Sequence, residues 1–380
     1  MRNGFSINRR SKRAWSACLS ALALVACCAA LLASQGLQAS LADNVLRPLL
    51  GDARVVALEN VVFGLQDRLN LATHRQLSPA DYVSPMAAAP LAPDIADRPP
   101  DIVPVLGTAP SIAGEGQWQP LSGTEMYAAF IRTDPRRSYS VVNLVYLPIS
   151  RLAIGAVAGA RYPGGPAGPG KVPASIQAGG QLVAAFNGGF REGDGHYGMV
   201  AGGVTYVRLR VGMPLLCIFK DGRADILPRY DGKPLPSDVV VARQNGPLLI
   251  SKGRVLPSTG GGGVYRWAGT AGGGYITWRS GLGITGKGNL VYAVGDSLTP
   301  ASLARALQLA GCQRAIQLDI NAYWVRFVVY QWDGVSYTWS CLIPALANGG
   351  AAYLNGYQRD FLYVYKKQER ATQTNGHPGA

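Results

Sequence analysis

The chain has 380 residues, of which 48% are hydrophobic, and it contains 48 glycines and 18 tyrosines. This composition excludes a chain that is disordered throughout and favours a turn-rich, β-rich fold. The formal net charge is +14, and five of the cations lie within residues 1–13. The remaining surplus suits an anionic cell envelope or a phosphorylated substrate, and no nucleic-acid-binding motif accompanies it, so nucleic acid is not an expected partner.

The N-terminal region carries the signal for membrane targeting. Residues 14–33 contain no charged side chain, and twenty helical residues span the hydrocarbon core of about 30 Å. The basic segment at residues 1–13 should stay in the cytoplasm and place the rest outside. Two interpretations are open: a signal anchor over residues 14–35 in the cell membrane, which is favoured, or a cleaved signal peptide and a secreted protein.

Two further segments precede the expected domain. Residues 44–71 have apolar side chains at steps of three and four, which predicts an amphipathic juxtamembrane helix. That helix either lies on the membrane surface, mediates dimerisation, or packs on its own domain. Residues 78–113 are rich in proline and alanine and should form a linker. The domain is then expected over residues 114–366, followed by a disordered tail at residues 367–380.

Short apolar runs broken by Gly, Asp, Asn and Pro fill residues 114–366. They predict an α+β fold with mostly antiparallel strands and few helices. Lys-Asp-Gly-Arg at residues 220–223 and Ser-Lys-Gly-Arg at residues 251–254 are typical of hairpin turns, because their glycines tolerate positive φ.

One helix is well marked in sequence. Thr299 is a suitable N-cap, Pro300 suits the first helical position, and Gly311 suits the C-terminal stop. This helix leads into an apolar strand that ends at Asp319, so we expect Asp319 to emerge at a rim where loops meet a substrate. The alternative is that Asp319 and Asn321 only shape the turn after the strand.

The stretch AFNGGFREGDGHYG, residues 185–198, combines glycines with charged side chains. Its Asn-Gly-Gly segment is either a hairpin turn or a loop whose exposed amides receive an anion. The charged or titratable side chains that follow are Arg191, Glu192, Asp194 and His196. The chain has only 3 histidines, and the other two lie outside the expected domain, which excludes a zinc site built on several histidines.

Arg279 and Asn245 are the other polar candidates. Arg279 lies in a strand-like run, where its guanidinium is suited either to two-pronged contact with a phosphate or to a structural salt bridge. Asn245 precedes a glycine in a second Asn-Gly turn and offers a polar contact. Carboxylate oxygens would suit a divalent cation, but no EF-hand-like spacing supports one, so no cofactor is expected.

Taken in chain order, the segments AAFNGGF, QNGPLLI, RSGLGIT and LAGCQRAIQLD resemble the phosphodiester glycosidase family over roughly residues 114–365. This group includes an enzyme that removes N-acetylglucosamine from a phosphodiester on mannose. The resemblance implies a mixed α/β fold that acts outside the cytoplasm and splits the bond between a sugar's anomeric carbon and a phosphate. The positions that match the family's motifs are Asn187, Gly188, Gly189, Asn245, Gly246, Arg279 and Asp319.

The resemblance also suggests roles for individual residues. Asp319 would be the principal carboxylate, and Glu192, Asp194 or His196 would transfer a proton. The phosphate would be held by Arg279 and Arg191. The remaining substrate contacts are expected from Asn187, Gly188, Gly189, Asn245 and Asn321.

Two departures from the family pattern leave a second function open. Arg191 replaces an aromatic residue, and Ile320 and Asn321 replace two glycines. The first hypothesis is a membrane-anchored, extracytoplasmic hydrolase that cleaves sugar-1-phosphodiesters in envelope glycans. The alternative is an inactive glycan-binding or envelope-organising module on the same fold, which would use the aromatic residues Tyr323, Trp324 and Tyr330.

Overall fold

The computed structural model describes residues 45–73, 97–107, 112–121, 123–246, 248–257, 276–346 and 349–367. The predicted basic segment and the predicted anchor or signal peptide lie outside the described residues, as do most of the predicted linker and nearly all of the tail. Among the helices in the described ranges, none is long and apolar enough to cross a membrane.

Strands dominate the described residues and all of their pairings are antiparallel. The strands are β1 Gln119–Pro120, β2 Tyr127–Ile131, β3 Val142–Leu147, β4 Leu152–Val157, β5 Leu182–Asn187, β6 Met199–Ala201, β7 Val204–Val207, β8 Leu215–Phe219, β9 Ala224–Leu227, β10 Val239–Gln244, β11 Leu248–Ser251, β12 Arg254–Val255, β13 Thr277–Thr285, β14 Leu290–Leu298, β15 Cys312–Ile320, β16 Phe327–Trp332, β17 Tyr337–Cys341 and β18 Phe361–Lys366. The helices are α1 Arg47–Leu50, α2 Asp52–Thr73, α3 Ala174–Ala178, α4 Pro300–Leu309 and α5 Gly350–Asn355. The predicted fold class, mostly antiparallel β with few helices, is confirmed.

The strands form three sheets. The first has the order β1-β2-β3-β14-β13-β15-β11-β12, the second β7-β6-β10-β8-β9, and the third β17-β16-β5-β18-β4. The first and third sheets meet through aromatic side chains, since the ring of Tyr292 on β14 lies 4.9 Å from that of Phe186 on β5 and 5.1 Å from that of Phe327 on β16. The chain divides into two units, Met1–Val55 and Val56–Ala380, and every strand of the described residues lies in the second.

The two predicted hairpin turns are confirmed. Residues 220–223 connect β8 to β9, and residues 251–254 connect β11 to β12. Gly222 and Gly253 have φ values of 77° and 72°, which is the conformation that a side chain would disfavour.

Helix α4 begins and ends as the sequence predicts. The Thr299 hydroxyl accepts a hydrogen bond from the Ser302 amide at 3.0 Å, and the Ser302 hydroxyl accepts one from the Thr299 amide at 2.9 Å. Leu303 and Leu307 are buried against the first sheet. Gly311 then takes a φ of 84°, which turns the chain directly into β15.

Helix α2 spans Asp52–Thr73 and lies largely within the range predicted to be one helix, and Gly51 separates it from α1. Its side chain Asp67 forms an ion pair with Arg137 at 2.6 Å. Leu58, Leu65 and Leu69 are exposed.

Part of the predicted linker contacts the sheet region. The amide of Ile102 donates a hydrogen bond to the Gly116 carbonyl at 2.8 Å, and the Ile102 side chain is buried. Trp118 donates its indole N–H to the Pro100 carbonyl at 3.1 Å.

Replacing Thr299 tests the cap that begins α4. Thr299→Ala should lower the free energy of unfolding by about 1 kcal/mol, because the Ser302 amide loses its acceptor. Urea denaturation measures the change. Thr299→Ser keeps the hydroxyl and should retain most of the stability, so equal losses in the two variants would contradict a capping role.

Candidate functional site

Asp319 and Arg359 form an ion pair at the centre of the site. Asp319 is the penultimate residue of β15, and Arg359 lies just before β18 in the third sheet. Arg359 Nη2 lies 2.6 Å from Asp319 Oδ2, and each side chain is only 5% exposed. The expectation that Asp319 emerges at an exposed rim was therefore wrong. The carboxylate is buried, and a guanidinium from the segment before β18 compensates its charge.

Arg359 makes two further contacts. Its guanidinium carbon lies 4.2 Å from the centre of the Trp324 ring, and Nη2 donates a hydrogen bond to the Gly189 carbonyl at 3.4 Å. A cation over an indole face is stabilised by the ring's quadrupole. The guanidinium is therefore held from several directions.

The Asn-Gly-Gly segment after β5 does not form a hairpin. Strand β5 pairs with β16 and β18, whereas the next strand, β6, belongs to the second sheet. The amides of Gly188 and Gly189 donate to the Asp360 carbonyl and to Asp360 Oδ2, at 3.0 and 3.2 Å. A Cβ at Gly188 would collide with Asp360, and one at Gly189 with Asn245. The close approach of the backbone to Asp360 and Asn245 therefore explains why both positions are glycine.

Asp360 is itself held by a buried cation. Arg243 Nε lies 3.0 Å from Asp360 Oδ2, and both side chains are buried. Arg243 Nη2 also donates to the Phe190 carbonyl at 2.5 Å. Arg359 and Asp360 are consecutive in sequence. Arg359 pairs with Asp319, and Asp360 accepts hydrogen bonds from the Asn187-Gly188-Gly189 segment, hereafter the glycine turn.

Two of the three asparagines predicted to contact substrate, Asn187 and Asn245, are buried and hydrogen-bonded to other parts of the chain. Asn245 Oδ1 accepts from the Phe190 amide at 2.9 Å, while its Nδ2 donates to the Gln317 and Leu318 carbonyls at 2.6 and 2.7 Å. Asn187 Nδ2 donates to the Ser280 hydroxyl, which in turn donates to the Asp319 carbonyl, both at 2.9 Å. These amides position the glycine turn and β15 relative to each other.

Arg279 has no exposed surface. Its Nε donates to the Leu298 carbonyl and its Nη1 to Gln317 Oε1, both at 2.9 Å. These contacts fit a structural role inside the first sheet. The cation beside Asp319 is Arg359.

Arg191, Glu192, Asp194 and His196 lie on and around the short 3₁₀ turn Glu192–Asp194. Arg191 Nη2 lies 3.0 Å from Asp194 Oδ1, with the two side chains 18% and 19% exposed. His196 is exposed and has a φ of 54°. The turn therefore presents one partly accessible ion pair together with an exposed imidazole.

The two carboxylates of this region have opposed pKa shifts. Burial raises the pKa of Asp319 to about 7, against the lowering effects of Arg359 and the Ile320 amide, and the charges of Asp194 and Asp360 raise it further. Burial also acts upward on Asp194, but its hydrogen bonds with Arg191 and the charges of Arg191 and Arg359 hold its pKa below the ordinary value. Such separation of two carboxyl pKa values is typical of acid–base sites.

The departure at Asn321 preserves the backbone shape expected of a glycine. Asn321 has a φ of 80°, and its Oδ1 accepts a hydrogen bond from the Tyr323 amide at 3.1 Å. Asparagine tolerates this left-handed conformation better than most residues do. Asn321 therefore shapes the turn after β15, as one of the two interpretations predicted.

The three aromatic candidates have different environments. Tyr330 is a core residue, buried with its hydroxyl donating to the Gly350 carbonyl at 2.7 Å. Tyr323 is 38% exposed, and its ring meets that of Trp324 edge-on at 4.5 Å. Of the three, Trp324 lies against Arg359 of the ion pair, and Tyr323 contacts Trp324.

No group of three or more His, Cys, Asp or Glu side chains that could hold a metal ion occurs within the described ranges. The carboxylates of Asp194, Asp319 and Asp360 are instead paired with arginines.

Sequence reasoning missed Arg359, Asp360 and Arg243. A signal for the first two exists, because Arg359 and Asp360 stand directly before the apolar strand Phe361–Lys366. This is the same pattern, a charge bordering a strand, that identified Asp319.

Residues 180–319 match the family model described as phosphodiester glycosidase. The match confirms, for this segment, the resemblance to the phosphodiester glycosidase family that the sequence motifs predicted. It is shorter than the predicted span of residues 114–365, and it ends at Asp319, so Arg359 and Asp360 lie beyond it.

Several solved structures are similar to this chain, including the following two. One is the catalytic domain of zebrafish N-acetylglucosamine-1-phosphodiester alpha-N-acetylglucosaminidase, auto-inhibited by its pro-peptide, at 14% identity and a TM-score of 0.40, covering 65% of this chain and 85% of that chain. The other is a hypothetical protein from Synechocystis at 11% identity and a TM-score of 0.31, covering 60% of this chain and 59% of that chain. No curated protein matches the chain.

The raised pKa of Asp319 predicts a pH-dependent stability. Between the unfolded pKa of 3.8 and the folded value of about 7, the folded chain binds more protons than the unfolded chain. The stability from this group is therefore fully present below about pH 4 and is lost as pH rises through about 7. The unfolding free energy of the wild type, relative to Asp319→Asn, should fall by roughly 4 kcal/mol over this range.

Chemical denaturation at a series of pH values measures that difference. Asp231→Asn, which removes an exposed carboxylate, is the matched control and should show no such fall. A wild-type stability that rises relative to Asp319→Asn between pH 4 and 7 would contradict the account.

Proposed function

We propose that this domain hydrolyses the bond between a sugar's anomeric carbon and the phosphate of a phosphodiester. The observation that carries the proposal is the pair of carboxyl groups with opposed pKa shifts, Asp319 and Asp194, beside the guanidinium of Arg359. The family match over residues 180–319 supports it.

Asp319 serves as the general acid. A carboxyl group with a pKa near 7 remains partly protonated at neutral pH and can give a proton to the departing phosphate oxygen. The C–O bond then breaks and its electron pair stays on the phosphate oxygen, which keeps the proton from Asp319. The oxygen of a water molecule bonds to the anomeric carbon, and the second proton of that water is released to solvent. This reverses the role expected from sequence, in which Asp319 was the principal carboxylate.

Asp194 serves as the ionised carboxylate. Its lowered pKa keeps it charged at neutral pH, and cleavage of a glycosidic bond develops positive charge on the sugar. A fixed negative charge close to that centre stabilises the transition state more than the ground state. Asp194 is also more accessible than Asp319, at 19% against 5% exposure of the side chains.

The arginines of the site supply the charge that a phosphate needs. Arg191 and Arg359 both act on the pKa of Asp194, which indicates that the two cations lie near one carboxylate. Tyr323, exposed beside Trp324, provides an aromatic face on which a sugar ring can stack.

The proposed location and substrate rest on the N-terminal sequence. The uncharged residues 14–33 after a basic segment support a domain held outside the cytoplasm by a signal anchor. Envelope glycans that contain sugar phosphodiesters are then the accessible substrates. The inactive binding module is the less favoured function, because Asn321 keeps the left-handed backbone at a position where the family has glycine.

Activity and its dependence on Asp319 test the proposal. The full-length chain should release sugar from at least one member of a panel of sugar-1-phosphodiesters, and Asp319→Asn should lower kcat by about 10²- to 10⁴-fold. Asp231→Asn, which removes an exposed carboxylate, should retain full activity. No release by a folded wild-type chain across the panel, with glycan binding retained, would instead support the binding module.

The pH profile tests the assigned role of Asp319. If the protonated carboxyl group is the active form, kcat/KM should fall about tenfold per pH unit above about pH 7. Initial rates measured on the best substrate of the panel give this profile. A kcat/KM that rises through pH 7 would assign Asp319 as a base instead.

A further inference from the structure

We propose that the substrate's phosphate displaces Asp319 from Arg359, so that anion binding and proton uptake by Asp319 are one coupled event. This inference rests on the proposed function for the identity of the anion. It deepens that function by stating how the site recognises the phosphate and how the acid becomes protonated.

Arg359 is held in place by groups other than Asp319. Trp324 lies against its guanidinium at 4.2 Å, and the Gly189 carbonyl accepts from Nη2 at 3.4 Å. The ion pair with Asp319 also involves Nη2. A guanidinium carries five N–H donors in a planar fork that suits two-pronged binding of a phosphate. Arg359 can therefore keep its position when its anionic partner changes.

The Asp319 carboxylate and the substrate's phosphate cannot both remain charged while they share Arg359 as their cation. Asp319 is buried, and the carboxylates of Asp194 and Asp360 also raise its pKa. Asp194 and Asp360 are themselves paired with Arg191 and Arg243. Arg359 is thus the cation paired with Asp319. A phosphate that takes Arg359 leaves the carboxylate with a hydrogen bond from the Ile320 amide but without its cation, which favours its protonation.

The other titratable groups around Asp319 do not compete for this proton. Tyr292 and Tyr357 are the phenols whose pKa values respond to the charge of Asp319, and burial raises both of those pKa values above the ordinary value. Both phenols therefore stay neutral between about pH 6 and 9. The proton comes from solvent and binds to the carboxylate, and no covalent bond changes.

The exchange prepares the site for catalysis. Phosphate binding produces a protonated Asp319 next to the anion that is about to leave, which is the state that a general acid requires. An empty site keeps the ion pair instead.

Dimethyl phosphate is a suitable probe. It is a phosphodiester without an anomeric carbon, so a glycosidase cannot hydrolyse it, and it keeps one negative charge across the range tested. Its dissociation constant from the full-length chain is measured by isothermal titration calorimetry between about pH 5.5 and 8.5, in buffers of different ionisation enthalpy, to count the protons taken up.

The wild type should bind dimethyl phosphate with a dissociation constant that rises about tenfold per pH unit above pH 7 and is flat below pH 6. Proton uptake should approach one per anion at about pH 8.5. Asp319→Asn should bind at least tenfold more tightly than the wild type at pH 8.5, with no dependence on pH. The double variant Asp319→Asn/Arg359→Gln leaves no uncompensated charge in the pair and should not bind.

A pH-independent dissociation constant in the wild type, absence of binding at pH 5.5, or equal binding by the single and double variants would overturn the inference. Because the probe is not turned over, these results are independent of catalysis. Coupled binding without hydrolysis of any sugar-1-phosphodiester would sustain the inference and refute the proposed glycosidase.

Discussion

The site depends on a desolvated ion pair between Asp319 and Arg359. Burial opposes the charged form of the carboxylate, and the guanidinium opposes that effect, so the carboxyl group is left with a pKa close to 7. An exposed aspartate would be ionised throughout the neutral range. Removing water from this one pair thus converts an ordinary side chain into a group that can exchange a proton under physiological conditions.

A network of buried polar side chains surrounds the ion pair and holds the segments that carry it in position. Asn245 joins the glycine turn to β15. Asp360, which directly precedes β18 and pairs with Arg243, accepts a hydrogen bond from the same turn. Each of these groups is buried and hydrogen-bonded, so that the desolvation of a polar group is compensated. Gly188 and Gly189 let the backbone approach Asp360 and Asn245 closely enough to form these bonds.

Local patterns in the sequence predicted most of the fold. Glycines, which tolerate positive φ, identified the turns at residues 220–223 and 251–254. The Thr299 cap and Pro300 identified α4. Each of these signals acts over only a few residues. The position of Asp319 near the end of its strand was predicted correctly. Its burial was not, because the compensating Arg359 lies in the segment before β18, far along the chain.

The same limit explains the assignments of individual site residues. Arg279 and Asn187 have the residue types that a phosphate or sugar would require, but whether a polar side chain meets a ligand or another strand is decided by tertiary packing. Arg279 bonds to Leu298 and Gln317 inside the first sheet. Arg359 occupies the position beside Asp319, in a segment without any recognised motif.

The most direct test of the account is the ionisation of Asp319 itself. In protein labelled with ¹³C at the aspartate carboxyl carbons, one resonance that is absent from Asp319→Asn should titrate with a midpoint near pH 7. That result would show that the buried pair creates a group able to exchange a proton at neutral pH. A midpoint at or below about 4, the ordinary value for aspartate, would show that the pair is a permanently charged structural salt bridge and would contradict the account.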